Sequence, residues 1–199
     1  MALTGCVLQP YPDRMKPVLR LGLLLAFLPG ACQGDGHTPE QAAAAEQRVQ
    51  AAAKKLGAEL KARLQAAMQQ GGPDAAVRVC ADEAQAITAQ AQTEDVAVGR
   101  RSLRMRNPKN TAPAWVDAWL TEHGERPLEG LGPRFEVVDG TARFLRPIGV
   151  DAVCLLCHGP AESIQPSVKT LLAENYPDDA ATGYALGDLR GVVWAETKL

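Results

Sequence analysis

The chain has 199 residues, room for one domain with a real core and too few for two. Its 21 Lys and Arg nearly balance 23 Asp and Glu, so no general cationic surface for nucleic acid or acidic membranes is implied. Aromatic residues make up only 5% and alanine is abundant, which points to helix-rich segments around a modest core. The 5 cysteines are an odd number without the spacing of a disulfide framework; they fall into three groups, Cys6 with Cys32, Cys80 alone, and Cys154 with Cys157.

The N-terminus reads as an export signal. Lys16 and Arg20 form a basic start, and Leu21 to Leu28 form an apolar run of secretory length, too short to span a bilayer. The stretch before Met15, with its prolines and Asp13, fits no signal peptide, so translation is expected to start at Met15. Gly30-Ala31-Cys32 fits the end of a lipoprotein signal, which would leave Cys32 acylated and the protein held firmly on a membrane. Pro29 stands where an aliphatic residue is usual, and ordinary cleavage near Ala31 is the alternative. Either way residues 1–32 are assigned to a signal, 33–38 to a linker and 39–199 to one periplasmic domain.

Thr38 as N-cap, Pro39 at the first position and Glu40 in the first turn open a helix. Val49, Ala53, Leu56, Leu60, Leu64 and Ala67 form its apolar stripe, and Gly71-Gly72-Pro73 ends it. Arg63 interrupts a coiled-coil reading of that stripe. A second helix, from about Pro73 to Gln92, has Ala76, Val77, Cys80, Ala84 and Ile87 on its inner face. The two helices should form an antiparallel hairpin. Val96 to Arg106 alternates like a strand, and Asn107 to Asn110 reads as a turn. A short helix after Thr111 and Pro113 turns Trp115, Val116, Trp119 and Leu120 inward. After a Gly/Pro-rich loop from Gly124 to Pro133, Phe135–Val138 and Thr141–Pro147 form a hairpin across Asp139-Gly140. A helix over Pro166 to Tyr176 and a last strand or strand pair within Gly183 to Trp194 complete an α+β fold with an antiparallel sheet.

Cys154-Leu155-Leu156-Cys157-His158 is the attachment signature of haem c. Two thiols two residues apart can add across the two vinyl groups on one porphyrin edge. The next residue then lies under the ring, where an imidazole can reach iron. Structural zinc usually needs a second pair of ligands, and the sequence has no second such pair. A thiol redox pair or a plain disulfide would make His158 incidental. Haem c is assembled outside the cytoplasm, in keeping with the export signal. For the second axial ligand, spacing leaves Cys80, Met68, Met105, His37 and His123 all open. The cluster Arg100, Arg101, Arg104, Arg106 and Lys109 is either a solvated strand face or a partner for haem propionates; Arg104, Arg106 and Arg146 are the candidates for that role.

Four stretches occur in order: Cys80-Ala81-Asp82-Glu83-Ala84; Gly99 to Asn110 with Arg106-Asn107-Pro108-Lys109-Asn110; Cys154 to Gly159; and Tyr176-Pro177-Asp178-Asp179-Ala180 to Gly191. Together they resemble the PAS-like haem-c sensor domain family, over roughly Thr38 to Trp194. The resemblance implies a PAS-like sheet flanked by helices, one covalent haem c, and iron held between His158 and Cys80. It also implies an extracytoplasmic redox or diatomic-gas sensor working with a signalling or redox partner, of the stand-alone kind the family includes. A plain electron-transfer cytochrome is the rival expectation. No polar catalytic set suggests an enzyme.

Overall fold

A computed structural model of the chain describes residues 36–124 and 127–199. The export signal, Met15, Cys6, Cys32 and the first linker residues lie outside these.

Helix α1 spans Pro39–Asp82. Its start is a full capping box: the Gln41 N–H donates to Thr38 Oγ1 at 3.2 Å, and the Thr38 N–H donates to Gln41 Oε1 at 2.8 Å. The helix is two arms rather than one rod. Gly71 (φ −151°, ψ 19°) and Gly72 (φ 66°, ψ −157°) leave helical space, and Pro73 begins the second arm. After a break at Glu83 that arm continues as α2, Ala84–Ala91. The arms run antiparallel, as expected. Arg63 donates twice to Glu83, at 2.6 Å each, and Lys55 Nζ donates to the Gln90 carbonyl at 3.0 Å.

The sheet consists of β1 (Val96–Arg101), β2 (Arg134–Val138), β3 (Thr141–Gly149) and β4 (Leu189–Lys198), in spatial order β1-β4-β3-β2 with every pair antiparallel. Asp139 (φ 49°) and Gly140 (φ 68°) are both left-handed, the geometry of the tight turn joining β2 to β3. One sheet face closes on the hairpin through Val49, Ala53, Leu56, Val98, Phe144 and Val193. The other carries helix α3 (Ala114–His123), whose Val116 and Leu120 meet Leu145, Val192 and Trp194. A short turn of helix, α4 (Leu155–His158), and helix α5 (Pro166–Asn175) lie between β3 and β4.

Two strands differ from expectation. The first ends at Arg101 instead of Arg106, because the Ser102 hydroxyl donates to the Arg104 carbonyl at 2.6 Å and turns the chain away. The last begins at Leu189 and runs to Lys198. Gly183 (φ 76°) and Gly187 (φ 85°) hold the segment before it in turns rather than in a strand.

Candidate haem site

Cys154 closes a 3-10 turn (Ala152–Cys154) and leads directly into α4, so Cys154, Cys157 and His158 lie on one helical turn. Spacings of three and four put all three side chains on one face. That face borders a cavity of about 290 Å³ between the hairpin, the ends of the strands and α4. Cys80, from the second arm of α1, lines the same cavity, and Val77 and Ala81 on that arm pack in one cluster with Cys157. The three cysteines are free thiols. Cys80 and the Cys154–Cys157–His158 motif, which the sequence singled out separately, therefore meet at one place.

His158 is held from several sides. Its Nδ1 lies 2.7 Å from the Ala181 carbonyl, which can only accept, so Nδ1 carries the proton and the Nε2 lone pair is left for a metal. The Tyr184 N–H donates to the His158 carbonyl at 2.9 Å, and the Gly183 N–H donates to the Gly159 carbonyl at 2.8 Å. The Tyr184 ring meets the imidazole edge-on, with centroids 6.3 Å apart. Burial above all, helped by the Arg190 and Arg106 cations, pushes the imidazole pKa down to about 2 despite the Ala181 hydrogen bond. The ring is thus neutral, as a ligand must be. Burial pushes the Cys80 thiol up, against the pull of Arg100, Arg106 and Arg190, and pushes Cys157 up against Arg106.

The arginines divide by role. Arg106 lines the cavity but is already spoken for. Its Nε meets Asp179 Oδ2 at 2.9 Å with both side chains nearly buried, and its Nη2 donates to the Cys157 carbonyl at 2.6 Å. Asp179 Oδ1 in turn accepts from the Ala181 N–H at 2.8 Å, so one ion pair braces both the cysteine turn and the loop that orients His158. Arg104 is not in the cavity wall. It donates to the Thr182 carbonyl at 2.9 Å and stacks on Tyr184 at 3.7 Å, supporting the same loop from behind. Arg146 is elsewhere again: its guanidinium lies over Gly57 of α1, where any added side chain would strike it. Neither of these two candidates for the propionates lines the cavity. Of the other candidate ligands, Met68 and Met105 line the cavity, whereas His123 stacks on Trp119 and His37 lies beside Gly140.

Two arginines in the wall are not closed. The Nε atoms of Arg100 and Arg190 are buried with no hydrogen-bond partner among the described residues. Arg190 sits alone in a glycine-punctuated stretch, and no pattern in the sequence marks it. Apolar walls, two thiols on one helical turn, a neutral imidazole and unpartnered cations together fit a porphyrin carrying carboxylates.

The known proteins agree with this chain over nearly all of the described residues. The crystal structure of the cyanobacterial heme-protein Tll0287 matches with a TM-score of 0.51 at 22% identity, covering 81% of this chain and 96% of that one. At that identity the likeness speaks for the fold. No curated protein matches. The model of the Tll0287-like family matches residues 38–196, almost the stretch over which the ordered motifs suggested kinship, so the chain belongs to the Tll0287-like family.

Proposed function

We propose that this protein is a PAS-like, extracytoplasmic haem-c protein that senses redox state or a diatomic gas. The observation that carries it is the meeting of Cys154, Cys157, His158 and Cys80 at one cavity. The description of the Tll0287 neighbour as a heme-protein supports it. Cys154 and Cys157 would hold one haem by thioether bonds. His158 Nε2 and the Cys80 sulfur would be the axial ligands, a pairing that favours ferric iron over the methionine alternative. The haem supplies one-electron redox chemistry and a site where a small gas can compete for iron.

The output belongs to the protein's own elements. Cys80 lies three residues before the break at Glu83, on the arm whose far end is tied to the first arm by Arg63 and Lys55. A change in what holds the Cys80 sulfur therefore acts on a jointed helix rather than on a rigid one. A lipid at Cys32 would keep the sensor at the membrane. A second reading, a stand-alone electron-transfer cytochrome, is favoured by Val153 and Leu156. Val153 precedes the cysteine pair and Leu156 lies within it, yet they are 51% and 38% exposed, which suits transient contact with a redox partner.

The test is protein matured in an export-competent host. The expected mass is that of the polypeptide plus one haem, with a low-spin ferric spectrum of thiolate character. Cys80→Ala should keep the mass and lose the thiolate signature; an unchanged spectrum would exclude Cys80 as ligand. Carbon monoxide or nitric oxide binding that displaces Cys80 supports sensing. A six-coordinate site inert in both oxidation states supports electron transfer.

A further inference from the structure

The cavity wall contains four arginines, Arg100, Arg101, Arg106 and Arg190, and no aspartate or glutamate. Two of the four are neutralised from outside it: Arg101 by Asp117 at 2.7 Å and Arg106 by Asp179 at 2.9 Å. Arg100 and Arg190 have no carboxylate within 4.0 Å among the described residues. Arg190 Nη1 donates to Ser102 Oγ at 2.6 Å and to the Arg104 carbonyl at 3.2 Å, and its guanidinium lies over the Tyr184 ring at 5.2 Å, while its Nε has no partner. A guanidinium whose Nε is buried, with no carboxylate in contact, is costly, and an anion entering the cavity would lower that cost.

We infer that Arg100 and Arg190 are the pair that receives the two propionate carboxylates of the porphyrin. This rests on the haem-c reading above and deepens it. The charges match in number, two unpaired cations for two carboxylates, and a guanidinium presents the planar fork that a carboxylate accepts. Arg100 lies in β1 and Arg190 near the start of β4, just beyond the β1–β4 ladder, and both line the same cavity. Ser102 and the Arg104 carbonyl hold the Arg190 fork in place, and the same Ser102 turn ends β1. The thioether bonds fix one edge of the ring; the arginine pair fixes the carboxylate edge.

The experiment uses the matured holoprotein and two readouts other than activity. Resonance Raman spectra of the wild type should place the propionate bending bands at the frequency of strongly hydrogen-bonded carboxylates. Arg190→Gln and Arg100→Gln should each shift one such band towards the solvated position and lower the midpoint potential, because loss of a nearby cation disfavours the ferrous state. Arg143→Gln is the control: its Nε is equally unpartnered, but it packs by Trp115 on the sheet's other face. Wild-type bands at the solvated position overturn the inference even if neither variant folds. So do variants that carry haem with bands and potential unchanged, in which case the haem-c reading stands. Colourless protein of bare polypeptide mass overturns that reading itself.

Discussion

Where the first arm of the hairpin meets the middle of the sheet, Val49, Ala53 and Leu56 close against Val98, Phe144 and Val193 in a buried, filled interface. Where the second arm meets the strand ends, Ala76, Cys80, Gly149 and Gly191 take the places that bulky aliphatic residues hold at the other end, and a cavity remains. The same elements build both ends. The difference is in volume filled and in charge: one end is hydrocarbon throughout, and the other sets thiols, an imidazole and arginines among its aliphatic residues. A hollow of this kind left by poor packing would be apolar and would cost stability. One lined by unpaired cations and free thiols is a place kept for a ligand.

The largest expected effect comes from removing the means of filling the hollow end. Cys154→Ser with Cys157→Ser should abolish covalent haem altogether. The protein should have bare polypeptide mass and a clearly lowered Tm, because anything bound only to the native state stabilises it. Full retention of acid-stable haem by the double variant would break the comparison at its root.

Next is the brace between the cysteine turn and the loop that orients His158. Asp179→Ala leaves Arg106 buried without its partner, since their side chains are 11% and 10% exposed. Breaking a buried ion pair from one side costs about 3–5 kcal/mol. Denaturant unfolding should show that loss, and the ferric spectrum should broaden as Ala181 loses the Asp179 bond that holds it. Stability lost with a sharp, unchanged spectrum would mean that the brace supports the fold but not His158. At the filled end, Leu56→Ala should cost about 2–5 kcal/mol with the spectrum unaltered, because Leu56 is fully buried and is not among the residues lining the cavity.

The filled end was largely legible in the sequence, and the hollow end only in part. The stripe from Val49 to Ala67, the Gly71-Gly72-Pro73 break and the Asp139-Gly140 turn are local signals, each read from a few adjacent residues. The attachment motif is local too. Alternation continues past the end of the strand: Arg104 and Arg106 keep the alternating pattern of β1, yet their hydrogen bonds go to the Thr182 and Cys157 carbonyls. The visible cluster of basic residues holds paired and unpaired members alike, Arg100 among the unpaired, because clustering says nothing about pairing. Arg106 had Asp179, Arg104 had the 182–183 carbonyls, and Arg190, a single residue with no neighbours of its kind, was left unpartnered. That distinction is a property of tertiary contacts and has no linear signature.

The smallest effect is expected at the end of the hairpin most remote from the site along the chain. Thr38→Ala removes the hydroxyl that accepts the Gln41 N–H and unmakes the reciprocal capping box. An N-cap of this kind contributes about 1 kcal/mol, which in a domain of this size lowers Tm by roughly 2–4 °C. Thermal unfolding of the matured protein should show this small shift while the ferric spectrum and midpoint potential stay put. Cys80→Ala should do the reverse, moving the spectrum more than the melting point. If the cap variant also moved the spectrum, the first arm would be transmitting strain through the Gly71-Gly72 joint. The two ends would then be one mechanical unit, instead of a packed support and a separate ligand chamber.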